Sequence, residues 1–111
     1  MELTEIERLM LRAMHRVQIE GGANNSVVTL RYALLETSCW NEDIEVALCN
    51  AGNEEPLVAK YYNAICRLVR DTPFADGAGD FGLPAGPRYT ACWITSSGIE
   101  KLHRSGSTED R

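Results

Sequence analysis

Residues 88–104, RYTACWITSSGIEKLHR, narrow the possible folds more than any other stretch of the chain, because an extended segment runs straight into a capped helix. Tyr89, Ala91 and Trp93 fall on one face of the extended part and Thr90 and Cys92 on the other. Alternation of this kind is the period of a half-buried strand. Thr95 then stands where a hydroxyl can accept from the unpaired N–H groups of a first helical turn. Ile99 and Leu102, three residues apart, lie on one side of that helix and can hold it against a core.

The run Ile94-Thr95-Ser96-Ser97-Gly98-Ile99-Glu100-Lys101-Leu102 resembles the second wing strand and closing helix of winged helix-turn-helix domains, which often read Leu-Thr-x-x-Gly-x-x-x-Leu. The resemblance covers about nine residues. It implies a mainly α domain with a small antiparallel β-hairpin and a protein that acts by binding.

The upstream sequence supplies helices. Thr4-Glu5-Ile6-Glu7 is a capping box, and Ile6, Leu9, Met10, Ala13 and Val17 recur at helical spacing until Gly21-Gly22. Ser26 caps a second segment ending near Ser38, with Leu30, Leu34 and Leu35 inward, although Val27-Val28-Thr29 also suits a short strand. Asn41 opens a third helix with Ile44, Ala47, Leu48 and Ala51 on one face, and Gly52 closes it. Pro56 suits the first turn of a fourth, which runs to Arg70 before Pro73 ends it. Residues 72–87 hold four glycines and three prolines, which predicts a long hairpin loop without regular structure, in the position of a wing. Residues 1–104 thus form one domain, and the polar residues 105–111 are expected to be a disordered tail.

Helices 41–52 and 53–70 have the lengths and short turn of a helix-turn-helix. On the second, Leu57, Val58, Tyr61, Ile65, Leu68 and Val69 gather on one side. Lys60, Asn63, Arg67 and Arg70 gather opposite, within a stripe about 80° wide. Residues 56–70 carry +3 and no acid, so the remainder of a chain of net charge -5 carries -8. An isolated basic face on an acidic protein suits a phosphate backbone, and Arg and Asn also suit base edges. Arg88, the first cation after the wing loop, completes the expected DNA-contacting set. The leading expectation is therefore a DNA-binding regulator of transcription, working as a homodimer because one such helix reads a half-site.

Glu54 and Glu55 at the start of that helix, and Asp76 and Asp80 in the loop, oppose phosphate. They support a second expectation, a small acidic inhibitor or anti-activator that contacts another protein or mimics nucleic acid, with Phe74, Phe81 and Leu83 as its apolar contact. Helix 1 adds a basic stripe, Arg8, Arg12, His15 and Arg16, which reads first as a solvated face.

Catalysis is not expected. Ser96 and Ser97 fit a helix start, no Gly-x-Ser-x-Gly turn occurs, and Gly77-x-Gly79-x-x-Gly82 neither follows a strand nor opens a helix. Cys39, Cys49, Cys66 and Cys92 form no close pair and sit among apolar residues, which suits reduced, buried thiols rather than zinc. No cofactor, metal or membrane contact is expected. The N-terminus shows no basic stretch followed by an apolar one, and a cytoplasmic location is the expectation.

Overall fold

The computed structural model describes residues 2–21, 25–49, 56–79 and 89–109. Four helices, α1 (Glu5–Ile19), α2 (Ser26–Glu36), α3 (Glu42–Cys49) and α4 (Pro56–Asp71), precede an antiparallel pair, β1 (Ala75–Ala78) and β2 (Ala91–Ile94), and a last helix, α5 (Ser96–Glu109). The fold is mainly α with a two-stranded sheet. None of the described helices is long and apolar enough to cross a membrane.

The first helix organises the rest. Its capping box forms as the sequence predicts, Thr4 Oγ1 accepting from Glu7 N–H at 3.1 Å and Glu7 Oε1 accepting from Thr4 N–H at 2.8 Å. Its buried side chains, among them Met10, Leu11 and Met14, let it touch α2, α4, β2 and α5. Full burial of side chains this size contributes about 1.5–3 kcal/mol each, so α1 supplies much of the favourable free energy of folding.

The second segment is helical throughout, and the cap is Asn25 rather than Ser26. Asn25 Oδ1 accepts from Val27 N–H at 2.8 Å, while its backbone makes a β-bridge with Ala91. Ser26 is buried, and its N–H donates to Thr90 O at 3.0 Å. Asn25 has the extended backbone of a cap, φ -90° and ψ 129°, whereas Ser26 is already the first residue of the helix. Leu30 and Leu34 face the core as expected, but Leu35 stands 55% exposed. Asn41 Oδ1 caps α3 by accepting from Ile44 N–H at 2.9 Å. Glu45 of α3 then receives both Arg31 of α2 and the Trp40 indole N–H, joining the two helices at their corner.

The loop expected across residues 72–87 contains regular structure. Ala75–Ala78 pairs with β2 in the register Ala75 to Ile94 and Gly77 to Cys92. Strand formation there depends on the partner's ladder of hydrogen bonds more than on intrinsic preference. Of the two faces of β2, Cys92 and Ile94 enter the core, while Ala91 and Trp93 are half-buried.

Thr95 caps α5, its Oγ1 accepting from Gly98 N–H at 3.1 Å while its hydroxyl donates to Pro73 O at 2.5 Å. Thr95→Val should lower the unfolding free energy by about 1–2 kcal/mol, read from denaturant melts, since a cap and a bond to the strand's lead-in are lost together. Ile99 and Leu102 pack partly buried on the core, and Lys101 Nζ sits 5.8 Å from the Phe74 ring centroid. The helical backbone continues through 105–109, where the sequence predicts a disordered tail. Once a helix has a docked first turn, each further residue adds a hydrogen bond without a new nucleation cost.

Candidate functional site

The α4 stripe is the first surface to weigh. Pro56 leaves the helix start without a missing donor, and Val58, Tyr61, Tyr62, Ala64, Ile65 and Leu68 are buried. That burial turns Lys60, Asn63 and Arg70 outward, and all three are exposed. Arg67 differs. Its Nη1 lies 2.6 Å from Glu7 Oε1 on α1, where the Glu7 side chain is only 5% exposed and the Arg67 side chain 41%. The approach is close but misaligned, and Nη1 makes no hydrogen bond. The attraction is therefore between charges, in a partly desolvated setting. Arg67 thus faces a carboxylate of its own chain, which competes with any phosphate for its charge. The cause is one of packing: α1 lies beside α4 and presents the acid of its own capping box. Arg88 lies outside the described residues.

The apolar surface expected near the hairpin also changes. Phe74 is half-buried, packed against the core and covered on one side by Lys101, so it is a structural residue. Phe81 and Leu83 lie outside the described residues.

A different exposed apolar pair stands between α1 and α2. Ile19 is 70% exposed and Leu35 55%. A shallow groove of about 360 Å³ beside them is lined by Ala13, Arg16, Tyr32, Leu35 and Glu36. A second, of about 220 Å³, runs along Arg12, His15, Arg16, Ile19 and Glu36. Arg16 Nε donates to Glu20 Oε2 at 2.7 Å, and the Tyr32 hydroxyl donates to Glu20 Oε1 at 2.5 Å. The Tyr32 hydrogen bond, then that from Arg16, holds the Glu20 carboxyl below its ordinary value, and the same contact with Glu20 raises the Tyr32 hydroxyl. This surface has both apolar and mixed-charge character.

One sequence signal could have found it. At about 100° per residue Ile19 projects into the middle of the stripe formed by Arg8, Arg12, His15 and Arg16, so an apolar residue interrupts a face that otherwise reads as solvated. Leu35 gave no such signal, because its neighbour Leu34 points inward and only the setting of α2 on α1 decides which of the two does.

Other chemistry-bearing residues are scattered. Cys92 is 2% exposed, its Sγ pointing at Thr29 Oγ1 at 3.9 Å, and burial pushes its thiol up from the ordinary range. Such a thiol is a poor nucleophile. Cys39 and Cys66 are half-buried. Ser96, Ser97 and His103 are exposed on α5. Among the described residues no group of His, Cys, Asp or Glu is arranged to hold a metal ion. No protein-family model, curated protein or solved structure matches this chain.

Proposed function

We propose that the chain is a non-enzymatic regulatory protein of winged helix-turn-helix layout that meets duplex DNA through the outer face of α4. The observation that carries this reading is the exposure of Lys60, Asn63 and Arg70 on one side of a helix whose opposite side is buried, with no acid between Pro56 and Arg70. The two cations serve phosphates, and the Asn63 amide offers the donor and acceptor pair that suits an adenine edge. With Arg67 held by Glu7, one α4 neutralises about two phosphates rather than three.

That count sets the test. The logarithm of the binding constant plotted against the logarithm of salt concentration should fall with a slope near -1.8 for a single bound chain, at about -0.9 per phosphate. Lys60→Ala or Arg70→Ala should make the slope shallower by about one unit, whereas Asn63→Ala should leave the slope and weaken discrimination among sequences. Gel shifts with promoter fragments from the native host at low and moderate salt supply the measurement. Absence of any shift at low salt, where surface charges are least screened, sinks the proposal.

The exposure of Ile19 and Leu35 favours a second reading, a small acidic module that binds another protein. On that reading substitutions at Lys60 and Arg70 are silent, and DNA affinity is absent at every salt concentration.

A further inference from the structure

We infer that the α1–α2 face carrying Ile19 and Leu35 is where two copies of this chain associate about a two-fold axis. Two observations lead there: the exposed apolar pair and the distribution of charge around it. Isolated apolar side chains are ordinary on a protein surface, but these two border adjoining grooves that share Arg16 and Glu36. Around them stand Arg12 and Arg16 on α1, balanced by Glu20 and Glu36, with His15 and Tyr32 completing the rim.

The whole chain carries -5, so two copies repel over most approaches. A face on which Arg12 and Arg16 stand beside Glu20 and Glu36 adds little like-charge repulsion of its own. It is also self-complementary. A two-fold interface sets each residue of one copy against its counterpart's neighbour, and the pairing is made twice. Here the cations belong to α1 and Glu36 to α2, so laying α1 of one copy across α2 of the other sets Arg16 against the partner copy's acid and Ile19 against its Leu35. Arg16 and Glu36 both line each of the two grooves, so cation and acid stand on the same face of one chain. An acidic partner protein would gain from Arg12 and Arg16 but meet Glu20 and Glu36. A second copy meets no such mismatch.

The test is sedimentation equilibrium of the full chain from about 1 to 500 μM, a span that detects interfaces below the standard size. A species of twice the 12.3 kDa chain mass is expected to fill in as concentration rises. Leu35→Glu should raise the dimer dissociation constant at least tenfold while the far-UV circular dichroism stays that of the parent, because the residue is already exposed. Arg16→Glu and Glu36→Arg should each do the same alone, since each puts like charges opposite one another in both halves of the interface. Mixed together, the two variants should form a heterodimer, because the mixture restores both opposite-charge pairs.

A monomer at every concentration overturns the inference, whatever else this face is later found to hold. So does a dimer indifferent to Leu35→Glu, or a mixture of the charge variants that does not pair. The outcome is separate from DNA binding by α4: a monomer with a salt slope near -1.8 removes the dimer and leaves the DNA reading standing, whereas a dimer without DNA affinity does the reverse.

Discussion

Gly98→Ala should destabilise the protein by about 3 kcal/mol or more, at or above the upper end of what overpacking usually costs. Gly98 is buried at the start of α5, and a Cβ placed there would come within 2.1 Å of the Phe74 carbonyl oxygen and 2.6 Å of Ile94 Cγ1. Neither neighbour yields cheaply. The carbonyl is backbone that already accepts from Thr95 N–H at 3.0 Å, and Ile94 is fixed in the core. The sign of the effect decides between two accounts. Alanine is the better helix former by about 1 kcal/mol, so helix preference alone predicts a more stable protein. Contact geometry predicts the opposite and outweighs it. Urea melts of Gly98→Ala beside Ser97→Ala, an exposed neighbour expected to stay within about 0.5 kcal/mol of the parent, measure the difference. A neutral or stabilising Gly98→Ala would mean that α5 does not approach the hairpin as closely as described.

Arg67→Ala is expected to act on stability rather than on DNA binding. It leaves Glu7 buried with its hydrogen bond from Thr4 but without a compensating charge, at a cost of about 1–3 kcal/mol. Exposure of part of the Arg67 side chain keeps the effect below that of a fully buried pair. Glu7→Gln retains an acceptor for Thr4 and removes the charge that Arg67 faces. In the doubly substituted chain the losses should therefore combine less than additively, with a coupling between 0.5 and about 3 kcal/mol. Denaturant melts of the four proteins give that coupling. An Arg67→Ala protein as stable as the parent, with a salt slope for DNA shallower by one unit, would return Arg67 to the DNA-facing set and contradict the ion pair. The two variants at residues 67 and 98 probe different joints, α1 against α4 and α5 against the hairpin, so together they test the packing on which the α4 face depends.

Much of the helical framework was legible because its signals are local. A Thr and a Glu three residues apart set the start of α1, an Asn the start of α3, and Thr95 the start of α5. Each needs only a side chain, a backbone donor and a few residues of chain between them. The apolar spacing of α1 and α4 likewise reports which side is buried, since one helical turn fixes it. The nine-residue strand-to-helix run carried its glycine for a reason that only the tertiary structure supplies, the carbonyl of Phe74 lying where a Cβ would be.

Where one element had to choose a partner, the sequence alone was silent or misleading. Strand β1 exists because β2 lies alongside it, in a stretch whose glycines and prolines read as a loop. Leu34 and Leu35 are chemically alike, and only the docking of α2 sends one into the core and leaves the other in solvent. Glu7 lies in the first turn of α1 and Arg67 in the last turns of α4, and nothing in their spacing brings a guanidinium to a buried carboxylate. The sequence by itself determined where helices begin and which of their faces are apolar, because those follow from interactions within a turn or two. Which charges remain available for a ligand, which apolar residues stay exposed and which side of the hairpin is buried were decided by the tertiary structure, because each depends on contacts between segments far apart in the chain, and free energies of burial and pairing arise only once those segments meet.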